Sequence, residues 1–387
     1  MPTLPIRSEG FAYGGEAFGR LPDGRICFFR GGVPGETAEV EVTVSKRSFA
    51  RGVLKNVPCP SATRLAPRCP HAVCPGGGGF CPGCSFQQVA YATELEWKQR
   101  QLSDFLLRGH LADPAALEMP IGAPARFGWR NRLKLSSADD RIGFFAEDNR
   151  TVVDVAHCPL AVAELDVVLP EHRRELARGE VFFRWTARDG VVVNGGDRIL
   201  TEHLDGFGEF SVPATSFFQT NTRVAAQLAR GVTGIIDRLG IAELLELYCG
   251  VGVFSLVAAQ EVSGLRSFGV ELDAHAIDCA GRNARVRGVA DRCRFEVGNA
   301  EKWRSLPRGM DPDAVLVDPP RRGLSERLID ALKAWRLPHI IYISCAPDTL
   351  ARDLRRLGSC YKVAHCRLYD MFPATGHFET LTQLDLY

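Results

Sequence analysis

The second half of the chain repeats a strand, a turn and a helix, and this repeat limits the possible folds more than any other feature. From Ala214 onward, short apolar runs alternate with segments of helical periodicity. Such alternation is typical of a parallel sheet with helices on both faces. Because the strands of a parallel sheet run in one direction, their carboxyl ends meet at one edge, where open α/β sheets bind ligands. The residues at these strand ends are therefore the first candidates for chemistry.

A glycine-rich turn follows the first strand of this repeat. Residues 243–248 lead into Cys-Gly-Val-Gly at 249–252 and then into a helix, and glycines at such a turn let the backbone approach a ligand closely. The next strand ends in Glu271, where an acid accepts hydrogen bonds from ribose hydroxyls. Dinucleotide enzymes and methyltransferases share these features, but Ser255 stands where the dinucleotide pattern has a third glycine. The sequence therefore favours the shorter methyltransferase loop.

Two further strands end in residues that suit a reaction site. Asp318 and two prolines follow residues 314–317, and Cys345 ends the apolar run at 339–344. A buried strand needs no cysteine at its end, whereas a reaction that uses a soft nucleophile does. Taken alone, Cys345 is equally compatible with an inert core thiol.

The first half of the chain has a different composition. Residues 11–57 alternate β-prone runs with glycine turns, which predicts a small barrel of about five strands, a module that often binds RNA. Residues 89–107 have the periodicity of an amphipathic helix. The net charge of +1 argues against nucleic-acid binding by bulk electrostatics alone but allows a local basic face. Arginines that suit phosphate contacts are concentrated in one stretch: Arg126, Arg130, Arg132, Arg141 and Arg150.

Five motifs occur in the order seen in the RNA uracil-5-methyltransferase family, and the match covers nearly the whole chain. They are Phe-Phe-Gln-Thr-Asn at 217–221, Leu-Tyr-Cys-Gly at 247–250, Asp-Pro-Pro-Arg at 318–321, Ser-Cys-Ala-Pro at 344–347 and Asp-Met-Phe-Pro-Ala-Thr-Gly-His-Phe-Glu at 370–379. The chain looks most like the iron-sulfur-containing branch, whose best-known members act on 23S ribosomal RNA.

The resemblance implies an α/β fold with three parts. A TRAM-like, OB-type β-barrel that binds RNA would occupy residues 1–57. A central β-rich iron-sulfur domain would comprise residues 58–90 and 120–208. A Rossmann-like class I methyltransferase domain would comprise residues 91–119 and 209–387.

The same resemblance implies the residues of the reaction site. Cys345 would attack carbon 6 of uracil, and Glu379 would remove the proton from carbon 5 after methyl transfer. S-adenosylmethionine would be held by five residues: Gln219, Tyr248, Glu271, Asn299 and Asp318. Two positions depart from the family pattern, since Val253 and Ala346 each replace a frequent Asn. Each departure affects one local hydrogen bond and not the reaction.

Thirteen cysteines, an odd number in a protein expected in a reducing compartment, indicate metal binding or thiol chemistry instead of disulfides. The family branch holds a [4Fe-4S] cluster, and the resemblance assigns Cys81, Cys84 and Cys158 as ligands. The fourth ligand is Cys69 or Cys74, of which we favour Cys69 because it stands in a Cys-Pro-His context. Zinc held by Cys69, Cys74, Cys81 and Cys84 is the alternative.

The expected partner is RNA, most specifically 23S ribosomal RNA, with transfer RNA as the alternative. An RNA or protein N-methyltransferase and a non-catalytic RNA-binding assembly factor are the competing hypotheses. Neither of them would need both Cys345 and Glu379. The N-terminal residues contain no apolar run of the kind that directs secretion, and no stretch is long enough to span a membrane. We therefore expect a cytoplasmic protein with no membrane partner, and a monomer.

Overall fold

A computed structural model describes residues 2–73, 75, 80–138, 141–171 and 179–387. The chain divides into two compact units. Unit 1 comprises Met1–Gln101, Ala125–Trp185 and Phe372–His377, and unit 2 comprises Leu102–Pro124, Thr186–Met371 and Phe378–Tyr387. The predicted three-domain boundaries are finer than this division and stay a prediction.

Unit 1 begins with a closed five-stranded barrel, as the sequence pattern predicted. Its strands, in the order β1-β2-β3-β5-β4, are β1 (Thr3–Phe11), β2 (Ala17–Arg20), β3 (Ile26–Phe29), β4 (Thr37–Ser45) and β5 (Phe49–Cys59). Alternate residues of β4 are buried, among them Ala38, Val40 and Val42. This period of two is what places one face of a strand inside a barrel.

A helix and a small antiparallel sheet follow the barrel. They are α1 (Tyr91–Leu107), β6 (Arg132–Ala138), β7 (Arg141–Phe145), β8 (Val152–Asp154), α2 (Ala163–Val168) and β9 (Gly179–Thr186). Strand β6 pairs with β7 and β9, and β7 pairs with β8. Residues 372–377 are fixed in unit 1 by a buried ion pair of α1, because Glu94 accepts a hydrogen bond from the Ala374 N–H and Lys98 donates to the Phe372 carbonyl.

Unit 2 contains a hairpin and a seven-stranded sheet with flanking helices. Before the sheet come β10 (Gly190–Val193), β11 (Ile199–Leu204), β12 (Gly208–Pro213) and α3 (Thr222–Leu239). The sheet and its helices are β13 (Glu243–Leu247), α4 (Val253–Glu261), β14 (Arg266–Glu271), α5 (Ala274–Val286), β15 (Cys293–Val297), β16 (Ala314–Val317), α6 (Glu326–Trp335), β17 (His339–Ser344), α7 (Pro347–Leu357), β18 (Tyr361–Tyr369) and β19 (Glu379–Leu386).

The order of the sheet, β15-β14-β13-β16-β17-β19-β18, determines which residues meet. The first five strands in this order are parallel, as predicted, so their carboxyl ends lie along one edge. Strand β19 is antiparallel to β17, with Thr380 opposite Ser344. The beginning of β19 therefore lies beside the end of β17. Among the described residues, no helix is both long and apolar enough to cross a membrane.

Candidate functional site: the carboxyl edge of the sheet and a cysteine cavity

The turn after β13 has an unusual backbone. Tyr248, Gly250 and Gly252 have φ angles of 65°, 54° and 81°, in the left-handed region that side chains disfavour. A Cβ atom on Gly252 would lie 2.7 Å from the Phe295 ring, whereas one on Gly250 would meet nothing within 4 Å. Gly252 therefore serves close packing under the turn. Gly250 leaves open space above it, which suits close approach of a ligand.

A cavity beside this turn contains three of the five predicted cofactor residues, Gln219, Tyr248 and Asp318. Its remaining lining comes from Leu204, Phe217, Phe218, Ala225, Cys249, Gly250, Val251, Val253 and Phe254. The lining is mostly apolar with a few polar groups, which is the usual character of a small-molecule site. The hydroxyl oxygen of Tyr248 is buried without a hydrogen-bond partner. The sequence analysis missed the apolar lining, because short apolar segments carry no chemical signal.

Glu271 does not line this cavity but is hydrogen-bonded to Gly250, which does. Its carboxylate accepts hydrogen bonds from the N–H groups of Gly250 (3.2 Å), Leu272 (2.6 Å) and Asp273 (3.0 Å). It therefore joins the glycine-rich turn to the end of the neighbouring strand. Asn299 follows β15, where its side chain accepts from the Glu301 N–H and caps a short 3-10 helix. The structure does not bring Asn299 into the cavity.

The two predicted catalytic residues lie next to each other at the antiparallel junction of β17 and β19. Cys345 directly follows β17 and Glu379 is the first residue of β19. Burial raises the pKa of Cys345 to about 12, with further contributions from the carboxyl groups of Glu379 and Asp318, and Arg321 acts in the opposite direction. The structure thus brings Cys345, Glu379 and Asp318 into one electrostatically linked group.

Glu379 has the properties of a proton acceptor. It is buried, and its Oε2 atom has no hydrogen-bond partner. Burial raises its pKa well above the ordinary value, as does the nearby Asp318, while Arg321 lowers it. Burial and the charge of Glu271 raise the pKa of Asp318 to about 7. Such shifts are typical of reaction sites.

Two buried acids that the sequence analysis did not single out support this edge. Glu246 on β13 accepts hydrogen bonds from the Ser255 hydroxyl and, at 3.1 Å, from the Ser255 N–H, which ties the strand to the first turn of α4. Burial raises the pKa of Glu246 to about 8. Asp353 on α7 accepts from the Tyr342 hydroxyl and from the Leu324 N–H. Asp353 therefore fixes the loop that begins at Asp318.

The four predicted cluster ligands line one cavity in unit 1: Cys69, Cys81, Cys84 and Cys158. Cys69 and Cys158 are buried. Burial raises the pKa of Cys81 to about 11 and that of Cys84 to about 12, and the other cysteines of the cavity contribute to both shifts. The alternative ligand Cys74 lies outside the described residues. Over the described ranges, no group of three or more His, Cys, Asp or Glu side chains is placed so that it could hold a metal ion.

Comparison with known proteins gives consistent matches along the chain. Residues 207–295 and 308–385 match the family described as tRNA (Uracil-5-)-methyltransferase, and residues 3–55 match the TRAM domain. An uncharacterized RNA methyltransferase of Thermosynechococcus vestitus is 30% identical, over 99% of this chain and 98% of its own length. A second one, from Gloeobacter violaceus, is 29% identical over 99% and 96%.

The likeness to a solved structure extends over the whole chain. That structure is the crystal structure of Pyrococcus abyssi tRNA (uracil-54, C5)-methyltransferase in complex with S-adenosyl-L-homocysteine, with a TM-score of 0.75. The two chains are 24% identical, and the match covers 98% of this chain and 99% of that one. This likeness confirms the predicted methyltransferase fold, and the TRAM match confirms the predicted barrel domain. The chain belongs to the RNA uracil-5-methyltransferase family and is an S-adenosylmethionine-dependent RNA methyltransferase with an N-terminal TRAM domain.

Proposed function

We propose that this enzyme forms 5-methyluridine in RNA, with Cys345 as the nucleophile and Glu379 as the base. The observation that carries the proposal is the placement of both residues at the junction of two antiparallel strands, beside Asp318. Carbon 5 of uracil is a poor nucleophile, so the ring must first be activated by addition at carbon 6. A thiolate is suited to that addition, and an N-methyltransferase would need neither residue.

Cys345 and Glu379 would act in two different steps of the reaction. The Cys345 thiolate adds to carbon 6, the double bond between carbons 5 and 6 becomes single, and the enolate that results makes carbon 5 nucleophilic. When bound, S-adenosylmethionine supplies the methyl group and carries a positive sulfonium charge. Glu379 then accepts the proton from carbon 5, and the bond between carbon 6 and the Cys345 sulfur breaks. The unpaired Oε2 atom and the raised pKa of Glu379 suit a group that accepts this proton.

Five side chains would hold the cofactor. Gln219, Tyr248 and Asp318 line the cavity, and the open space at Gly250 permits close backbone contact. Glu271 would accept hydrogen bonds from the ribose hydroxyls. Asn299, at the end of the adjacent strand, would contact the adenine.

A trapping experiment tests the reaction. RNA that contains 5-fluorouridine has no proton at carbon 5, so the methylated adduct with Cys345 cannot be resolved. We expect a covalent adduct that survives denaturing electrophoresis, requires S-adenosylmethionine and is mapped to Cys345 by peptide mass spectrometry. The Cys345→Ala variant should form none, while Cys279→Ala, which removes a buried thiol on α5, should form it normally. Cofactor binding without an adduct on total ribosomal and transfer RNA would refute the proposal.

We also propose a [4Fe-4S] cluster held by Cys69, Cys81, Cys84 and Cys158, with a structural role. The shared cavity of these cysteines supports it. Zinc would require thiolates about 2.3 Å from a single ion. The resemblance to the iron-sulfur branch favours the cluster over zinc.

Metal analysis of anaerobically purified protein separates the two metals. About four iron atoms and four sulfides per chain, with visible absorbance, are expected. Cys158→Ser should lose them, and the matched variant Cys279→Ser should keep them. Of Cys69→Ser and Cys74→Ser, the variant that loses its iron identifies the remaining ligand. Stoichiometric zinc without iron would overturn the cluster.

The proposed substrate is 23S ribosomal RNA, on the basis of the resemblance to the iron-sulfur branch. Transfer RNA is the second candidate, because a solved structure that is similar over the whole chain is that of a transfer-RNA enzyme. Sequencing the RNA trapped by 5-fluorouridine from a mixture of both RNA classes decides between them.

A further inference from the structure

An open groove of about 510 Å³ runs between α3 and the edge strand β18 in unit 2, apart from the cofactor cavity. Arg230 and Arg238 of α3 and Arg367 of β18 line it, and Glu118 and His365 complete its charged groups. Among the described residues, neither Arg230 nor Arg238 forms an ion pair, and both are exposed. Each donates to a neutral acceptor, Arg230 to the Asp205 carbonyl (3.0 Å) and Arg238 to the Gln383 side chain (2.7 Å), so both keep an uncompensated charge. Arg367 and His365 contact the single acid of the groove, Glu118.

Two glycines of α3, Gly231 and Gly234, lie on the helix side of the groove. Gly231 is required for packing, because a Cβ atom there would lie 2.1 Å from the Tyr369 hydroxyl oxygen. Packing does not require a glycine at position 234, since a Cβ atom there would meet nothing within 4 Å. A glycine in the middle of a helix is unfavourable relative to alanine. Its presence on the groove face therefore keeps space open between the arginines.

One end of the groove adjoins the catalytic residues. Tyr369, which lines it, pairs with Glu379 in the register of β18 and β19. From there the groove extends along α3 to Arg238. Arg230 and Arg238 are eight positions apart, about 12 Å along the helix at 1.5 Å per residue. Two polar atoms on lining residues, Gln227 Oε1 and Arg367 Nε, are buried without a hydrogen-bond partner.

We propose that this groove binds the phosphodiester backbone of the substrate RNA next to the target uridine. Guanidinium groups match phosphate geometry and remain charged at all relevant pH values. A span of about 12 Å covers roughly three phosphates at the 3.4 Å spacing of a helical strand. An enzyme that extracts one base from its stack must hold the flanking backbone. The proposal rests on the proposed function and specifies where that site holds its RNA.

The salt dependence of RNA binding tests the proposal. The probe is fluorescein-labelled single-stranded oligouridine, titrated with the full-length protein by fluorescence anisotropy over a series of KCl concentrations. Each lost phosphate contact lowers the slope of log K against log salt by about 0.7 for a single strand. The double variant Arg230→Gln/Arg238→Gln should therefore lose about 1.4 from the slope. Its affinity at 0.1 M KCl should fall about 25-fold, if the two proteins bind equally at 1 M salt.

Matched variants separate the groove from net charge and from folding. Arg327→Gln/Arg355→Gln removes two exposed arginines from α6 and α7 and should leave the slope unchanged. Arg230→Lys/Arg238→Lys keeps the charge and should keep the slope. Glu118→Gln frees Arg367 and should steepen the slope by about 0.7.

Equal slopes for the two Arg→Gln double variants would overturn the groove proposal, as would an unchanged slope for Glu118→Gln. The 5-fluorouridine adduct on Cys345 reports separately on the proposed function. An adduct with equal slopes refutes the groove alone. A reduced slope without any adduct refutes uracil methylation and leaves the groove as an RNA-binding surface.

Discussion

The glycine-rich turn allows a prediction in which two neighbouring glycines have opposite roles. Both Gly250 and Gly252 have positive φ, so alanine at either position costs roughly 1–2 kcal/mol of backbone strain. At Gly252 the new methyl group would lie 2.7 Å and 2.8 Å from two atoms of the Phe295 ring and 3.2 Å from Leu256. Overpacking of this kind adds roughly 1–3 kcal/mol. At Gly250 it would contact nothing.

We therefore expect Gly252→Ala to lower the free energy of unfolding of unit 2 by roughly 2–5 kcal/mol and Gly250→Ala by roughly 1–2 kcal/mol. Cofactor affinity should respond in the opposite order, with the larger loss in Gly250→Ala. Gly250→Ala places its methyl group in the space proposed for the ligand, so the dissociation constant for S-adenosylmethionine should rise at least tenfold, which is about 1.4 kcal/mol.

Urea unfolding followed by circular dichroism measures the free energy of unfolding of unit 2. The transition that belongs to unit 2 is the one that S-adenosylmethionine shifts to higher urea, because a ligand stabilises the unit that binds it. Titration calorimetry without denaturant measures the dissociation constant for S-adenosylmethionine. Equal destabilisation by both substitutions would contradict the packing assigned to Phe295. Unchanged cofactor affinity in Gly250→Ala would contradict the location of the ligand.

Three further predictions concern buried acids. Glu379→Gln should lower turnover by roughly 10²–10⁴-fold and accumulate the covalent RNA adduct on unmodified uridine, visible on a denaturing gel, because proton removal releases the enzyme. Because the pKa of Asp318 is raised to about 7, the folded protein binds more protons than the unfolded chain between about pH 4 and 7, and stability falls as pH rises through this window. Asp318→Asn should flatten that fall in the urea midpoint of ligand-free protein, and an unchanged pH profile would exclude the assigned shift. Asp353→Ala should reduce stability by roughly 3 kcal/mol, since it removes the acceptor of the Tyr342 hydroxyl and the Leu324 N–H, and Asp348→Ala on the exposed first turn of α7 serves as the control.

The sequence predicted the parallel part of the sheet because its signals are local. Each strand is a short apolar run, and each ends at a residue with chemical character, such as Glu271, Asp318 or Cys345. Parallel pairing then brings these ends together without further information. The barrel was predictable for the same reason, since a period of two along β4 is visible in the residues themselves.

Other features of the site depend on long-range packing that no local pattern encodes. Glu379 was assigned by resemblance, because its position beside Cys345 requires knowing that β19 inserts antiparallel next to β17. Glu246 lies between two leucines and Asp353 lies in an arginine-rich helix, and their roles are seen only in the hydrogen bonds to Ser255 and Leu324. The groove arginines of α3, Arg230 and Arg238, are likewise far in sequence from β18, which forms the other side of the groove.

The charge distribution at the carboxyl edge of the sheet gives a physical reason for the cofactor site proposed there. Glu246, Asp318 and Glu379 all have raised pKa values, and Asp318 or Glu271 contributes to each shift. Crowded buried carboxyl groups oppose folding when they ionise, but the same negative field favours a bound cation. S-adenosylmethionine is positive at sulfur, whereas its demethylated product is not, so the field favours the reactant over the product. Burial, together with the carboxyl groups of Glu379 and Asp318, raises the pKa of Cys345 to about 12, and a positive charge at this edge would lower it. In the proposed reaction, the crowding of acids would therefore make thiolate formation at Cys345 depend on a bound methyl donor.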